Sequence, residues 1–372
     1  MVGYVGIIVS YRNISLDKSN FIMLSNESNN TRIYVPVIDR RRPVNFKKYP
    51  HVLGVCVLPL FHYYDYLELI RYIESLLMHG ATYFYFYHQS STFNILKVID
   101  YYKINAKNVT FEIVDWSLLP ETNANPNDYI HRLEPSLAIF DCMYRGRYVV
   151  QFAAQLDLDE VVAMNTSKYS SLTDYLMMSS KKDNKIASYS FRSSRARLYK
   201  ETTTLEELKK QKFNNYKSIK LTYPHPRPVY TKLIYRPEYM FNFYIHFPLE
   251  TDYLLNETYS HYNLSLSEGT IHHFRIINNK RHFKKYLERK SNYYSSKIKQ
   301  LNSNLSQHLT KLFLIDEKQL PQIKKAVQQY NLCRYEEYLK GKTGLVPFTC
   351  RNIMSHEITK NFIVSIHSWL VI

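Results

Sequence analysis

The feature that most constrains this chain is a regular alternation of buried strand and amphipathic helix between residues 51 and 160. "HVLGVCVLPLF" (51–61) is an unbroken apolar run closed by Pro59, the pattern of a strand covered on both faces. In "DYLELIRYIESLLMHG", Asp65 is placed to cap a helix. Leu69, Ile70, Ile73, Leu76 and Leu77 then recur at helical spacing, and Gly80 ends the run. "ATYFYFYH" (81–88) predicts a second strand, "TFNILKVIDYYK" a second helix and "NVTFEIVDW" (108–116) a third strand. "LEPSLAIFDCMYRGR" (133–147) predicts a third helix, which feeds a fourth strand, "YVVQFAAQLDLDE". Doubly covered strands alternating with helices predict an α/β fold, a mostly parallel sheet flanked by helices. Such sheets bind ligands beyond the carboxyl ends of their strands.

Three acids, Asp157, Asp159 and Glu160, stand at that end of the fourth strand. Yet Lys and Arg outnumber Asp and Glu by 49 to 32, a net charge of +17. Asp157 and Asp159 are two apart and share one side of a strand. Where the chain bends, both carboxylates can turn to one hard cation. Oxygen ligands suit Mg²⁺ or Mn²⁺, which shares its charge with bound phosphates. By itself, Asp-x-Asp describes a solvated acidic turn equally well. "DLDEVVAMNTSK" has no Gly, against an EF-hand. An aspartyl-phosphate phosphatase would carry the motif on an early strand, with a Thr soon after. No Gly-rich phosphate loop is present, so P-loop and dinucleotide chemistry lack support.

The basic excess favours polyanions: nucleic acid, anionic membrane, acidic glycans or nucleotide phosphates. It does not choose among them. No recognised nucleic-acid module occurs, and the basic residues are spread along the chain, so nucleic acid is not an expected partner. Cys56, Cys142, Cys333 and Cys350 fit no zinc spacing. Asn-x-Ser/Thr sequons begin at Asn13, Asn26, Asn29, Asn108, Asn165, Asn256, Asn263 and Asn304, which points to the secretory pathway. There the cysteines are free to oxidise; buried thiols are the alternative. The apolar stretch at 2–9 is too short to span a bilayer, and no other run approaches ~20 apolar residues. No membrane anchor is expected in the chain as written.

Residues 1–48 read as a polar stalk or loose arm, and 49–280 as the main domain. Within that domain a short helix is expected near 171–180, and strands at 185–191, 228–237 and 269–276. "RSSRARLYK" reads as a basic loop, and 281–372 as a basic helical extension packed on the domain.

Four stretches carry a family resemblance: "CVLPLFHYYDYLELIRYIESLLMHGATYFYFYHQSS", "FDCMYRGRYVVQFAAQLDLDEV", "KLIYRPEYMFNFYIH" and "GTIHHFR". In order and spacing the chain resembles glycosyltransferase family 92, the nematode-expanded group formerly called domain of unknown function 23, over roughly 50–280. The resemblance implies a GT-A-like (Rossmann-like) fold. It implies inverting transfer of a hexose, galactose in the known members, from a UDP-sugar to a glycan acceptor, with a divalent cation, usually Mn²⁺. It implies a Golgi, membrane-associated setting. Asp159 becomes the firmer metal ligand, with Asp157 on metal or donor ribose and His273 closing the metal site. Glu160, Lys232, Arg275 and Arg145 become donor-side residues, and His246 also matches a family position. The resemblance leaves the catalytic base unnamed; Asp174, Glu250 and Asp252 stand in plausible acceptor-side regions. Val161 and Phe274 depart from the commoner Phe and Tyr, no Pro follows the acids, and the usual amino-terminal membrane helix is missing. A non-catalytic member that binds glycan or nucleotide sugar is the alternative function. A basic nucleic-acid-binding protein is a more distant third.

If His273 ligates a metal it must be neutral, because a protonated imidazole has no lone pair to give. Metal affinity is then expected to fall as pH drops through about 6.

Overall fold

The computed structural model describes residues 21–26, 31–118, 135–198, 201–224, 231–252, 257–274, 288–290, 292–309, 315–340 and 350–365. The described residues begin with a strand pair, β1 (Phe21–Asn26) and β2 (Thr31–Pro36), within the stretch expected to be a loose arm. The expected alternation follows. It runs β3 (His51–Leu60), α1 (Tyr66–Met78), β4 (Ala81–His88), a short β5 (Ser90–Thr92), α2 (Phe93–Asn105) and β6 (Thr110–Asp115). Then come α3 (Pro135–Gly146) and β7 (Val150–Gln155). Asp65 caps α1 as expected, its Oδ1 accepting from the Glu68 N–H at 2.9 Å. Gly80 ends that helix at φ 88°, where a Cβ would collide with Thr173.

The fourth strand is shorter than expected. It stops at Gln155, the chain turns with the Glu160 N–H donating to the Asp157 carbonyl at 3.0 Å, and Glu160 opens a new strand, β8 (Glu160–Met164). Apolarity continues through "VVAM" because β8 is buried in a second sheet. After α4 (Leu172–Lys182) come β9 (Ile186–Phe191) and β10 (Ser193–Arg197). Part of the expected basic loop is thus a strand, with Ala196 buried and Arg195 turned outward. Next are α5 (Leu205–Gln211), β11 (Lys220–Thr222), β12 (Lys232–Tyr235) and a hairpin of β13 (Met240–Tyr244) and β14 (Phe247–Thr251). Then come β15 (Ser260–Asn263), β16 (Gly269–His273) and β17 (Glu288–Lys290). The carboxy-terminal part is helical as expected: α6 (Tyr293–Leu309), α7 (Leu320–Leu339) and α8 (Arg351–Asn361), followed by β18 (Phe362–Val364).

The main sheet has the order β15-β9-β12-β7-β3-β4-β6. Only β12 runs against its neighbours in it; the remaining pairs are parallel. The expected fold, a mostly parallel sheet flanked by helices, is therefore present. From β3 the chain steps outward through β4 to β6, then returns to the other side of β3 as β7. The carboxyl ends of β3 and β7 form the switch point where such sheets bind ligands.

Both sheet faces are covered, which explains the unbroken apolar runs. Leu53, Val55 and Val57 of β3, with Phe84 and Phe86 of β4, join α1, α2 and α6 in one core. Tyr85 and Tyr87 face the other way, onto α3. There a disulfide joins Cys56 of β3 to Cys142 of α3, and a second joins Cys333 to Cys350.

Glu74 on α1 is fully buried, with the Tyr102 hydroxyl donating to it at 2.5 Å. Burial pushes its carboxyl up to about 7, and the Tyr102 bond only partly opposes this. The native state therefore holds a proton that the unfolded chain releases near 4.5. The stabilisation is fully present below that value and is lost as pH rises through about 7. A span of this size is worth on the order of 3 kcal/mol. Glu74→Gln should flatten the decline in urea midpoint between pH 5 and 8; an unchanged slope would rule out Glu74 as its source.

Candidate functional site

The acid turn lies just beyond β7, and residues of α1 and the residue that follows β16 lock its backbone. The Tyr72 hydroxyl donates to the Leu156 carbonyl at 3.2 Å, and Arg71 Nη2 to the Leu158 carbonyl at 3.0 Å. The Phe274 N–H donates to the Asp159 carbonyl at 2.7 Å. The Arg71 guanidinium sits 4.7 Å from the Phe274 ring centre.

Asp157 and Glu160 share one counter-group, and Asp159 has another. Lys232 is buried on β12, and its ammonium meets Asp157 Oδ2 at 2.7 Å and Glu160 Oε2 at 3.3 Å. Glu160 also accepts from the Asp157 N–H at 3.0 Å. Burial pulls the Lys232 ammonium down, but Glu160 and Asp157 outweigh it and hold the group above its ordinary value. Burial pushes the Glu160 carboxyl up to about 7, against the pull of Lys232.

His273 lies 3.0 Å from Asp159 through Nε2 and Oδ2, and its Nδ1 is 3.7 Å from Glu160. Its neighbour His272 points the other way, into a nest of Tyr293 and Tyr294, as alternation along β16 requires. Burial works against charge on either partner of the His273–Asp159 pair. Their mutual attraction outweighs it, raising the His273 pKa and lowering that of Asp159.

The structure thus brings together Asp157, Asp159, Glu160, Lys232 and His273. His246 lies beside Lys232, its Nδ1 2.9 Å from the Thr231 carbonyl. Arg145 is held elsewhere, by Asp141 at 2.9 Å and Glu112 at 3.1 Å, under the far strand β6. Arg275 lies outside the described residues. Among the base candidates, Asp252 is tied to Arg147 at 2.8 Å and Glu250 to Asn242 at 2.8 Å. Asp174 sits in the first turn of α4.

A pocket of about 300 Å³ opens at the switch point, walled by the end of β3 from Val57 to Phe61. Tyr63, Asp157, Leu158 and Arg334 complete it. Sequence reasoning missed Arg71, Glu68, Tyr63 and Arg334. Glu68 accepts from the Tyr63 hydroxyl at 3.1 Å and pairs with Arg71 at 3.4 Å. Its place three residues after Asp65 was the one available signal.

The family model for glycosyltransferase family 92 matches residues 51–309, well over half of the chain. The chain belongs to glycosyltransferase family 92. No curated protein matches it. Among solved structures it is similar to HddC from Yersinia pseudotuberculosis, at 12% identity and TM-score 0.29, covering 63% of this chain and 97% of that one. It is similar to UDP-glucose pyrophosphorylase from Acinetobacter baumanii, at 8% identity and TM-score 0.29, covering 59% and 87%. It is also similar to the apo bifunctional glycosyltransferase WbbM, at 10% identity and TM-score 0.26, covering 56% and 35%. The family 92 match ends at the last residue of α6, so α7, α8 and β18 lie beyond it.

Proposed function

We propose that this family 92 glycosyltransferase is an inverting, divalent-cation-dependent enzyme. It moves a hexose, galactose by the resemblance, from a UDP-sugar to a glycan acceptor. The observation that carries the reading is the acid turn beside a pocket at the sheet's switch point.

Among the described residues no group of three or more His, Cys, Asp or Glu could hold a metal ion. A smaller donor set still fits. Asp159 and His273 would supply an oxygen and a nitrogen donor side by side, 3.0 Å apart, ligand types that a divalent ion of this kind accepts. Ions of this kind commonly take one or two protein ligands and complete their shell with substrate phosphates and water. A divalent ion held by Asp159 and His273 would offset the charge developing on the diphosphate leaving group. Asp157, paired with Lys232, lines the pocket and would accept from a ribose hydroxyl. Glu160, buried behind both, fixes Lys232 and the turn.

The two disulfides and the sequons support a secretory setting, the Golgi lumen by the resemblance. Among the described residues no helix is long and apolar enough to cross a membrane.

The test is UDP release from UDP-galactose with Mn²⁺, with and without chelator. Metal-dependent release is expected; equal release under chelator would overturn the cation requirement. One observation favours a second reading, a donor-binding member without turnover: Lys232 already pairs with both Asp157 and Glu160. Donor binding with no release across a panel of UDP-sugars and acceptors would establish it.

A further inference from the structure

The pocket at the ends of β3 and β7 has an apolar wall and two charged residues in its lining, Asp157 and Arg334. A ligand that matches it has a flat apolar part, hydroxyls for the acid and an anionic part for the guanidinium. A nucleoside diphosphate has all three. The acid turn itself repels phosphate, so of the two charged groups in the pocket's lining it is the Arg334 guanidinium that suits an anion.

Arg334 comes from α7, beyond the family-matched residues. Its position is well anchored. Tyr330, one turn earlier, is buried, with its ring 5.3 Å from His62 and 6.2 Å from Phe61 of the pocket wall. The Arg334 guanidinium lies 5.7 Å from the centre of that ring. Cys333 ties α7 to Cys350, just ahead of α8. β18 then pairs antiparallel with β5 at Phe362↔Thr92, and the Ser365 N–H donates to the Gln89 carbonyl at 2.8 Å.

We propose that Arg334 binds the diphosphate of the nucleotide-sugar donor, so that the carboxy-terminal helices complete the donor site. The inference rests on the nucleotide-sugar reading above. Guanidinium–phosphate bonds are charge-assisted, and much of their strength depends on that charge.

The experiment measures UDP binding by calorimetry and uridine binding by saturation-transfer NMR. Both are done with Mn²⁺ present, on the parent chain, Arg334→Ala and Arg334→Lys. Arg334→Ala should weaken UDP about tenfold or more and leave uridine unchanged, and Arg334→Lys should recover part of the loss. Unchanged UDP affinity in Arg334→Ala would overturn the inference, as would equal weakening of UDP and uridine, the mark of a wall residue. A parent chain that binds neither ligand would overturn the donor reading, and the inference with it.

Discussion

Asp159→Asn is expected to lower kcat/KM for sugar transfer by about 10³-fold, roughly 4 kcal/mol of transition-state stabilisation. The substitution keeps the shape and removes the charge. The turn should survive it, because the Phe274 N–H is held by the Asp159 carbonyl and not by its side chain. Mn²⁺ affinity should fall together with turnover. Activity within a few-fold of the parent, with the same metal requirement, would show that the ion is held elsewhere or is not used. A second readout needs no turnover. In metal-free protein Asp159 is the main partner raising the His273 pKa, so Asp159→Asn should shift its NMR titration to lower pH. The linkage has two sides. The stabilisation from His273 is fully present below its unfolded value and is lost as pH rises through its raised folded value. That from Asp159 is present above its unfolded value and is lost as pH falls through its lowered one. The metal-free pair therefore supports the fold best in mildly acidic solution.

Replacing both Cys56 and Cys142 by Ser is expected to destabilise the fold by about 4–5 kcal/mol. The bridge closes a separation of 86 residues, and the chain-entropy cost of such a loop in the unfolded state has that size. The Cys333–Cys350 bridge spans only 17, for which the same relation gives about 3 kcal/mol. The larger value is a substantial share of the 5–15 kcal/mol that ordinarily holds a domain folded. Urea unfolding of the two double variants against the parent measures both. A loss below ~1 kcal/mol for the Cys56–Cys142 pair would mean that the unfolded chain already keeps these segments together.

Much of the sheet was legible because its strands are buried on both faces. Leu53, Val55 and Val57 serve one core and Cys56 the other, so an unbroken apolar run is what the position demands. The same feature hid the break at Gln155. Residues on either side of the turn are equally apolar, and only the pairing of β8 with β16 separates them. Asp157, Asp159 and Glu160 were visible as acids in a basic chain, and His273 and Lys232 came from the resemblance. Their pairing was not visible, since Lys232 lies 75 residues from Asp157 and His273 lies 114 from Asp159. Arg334 gave no signal, because one Arg on a polar helix looks like any solvated charge.

The same separations fix an order of events during synthesis. A ribosome that has delivered the turn after β7 has released three acids but neither Lys232 nor His273, the groups paired with them. Lys232 arrives only after α4 and β9, His273 after β15, and β18 reaches β5 when the described chain is almost finished. Pairings of such long range form late and slowly. A partly made chain therefore carries its acidic loop before Lys232 and His273 have joined it.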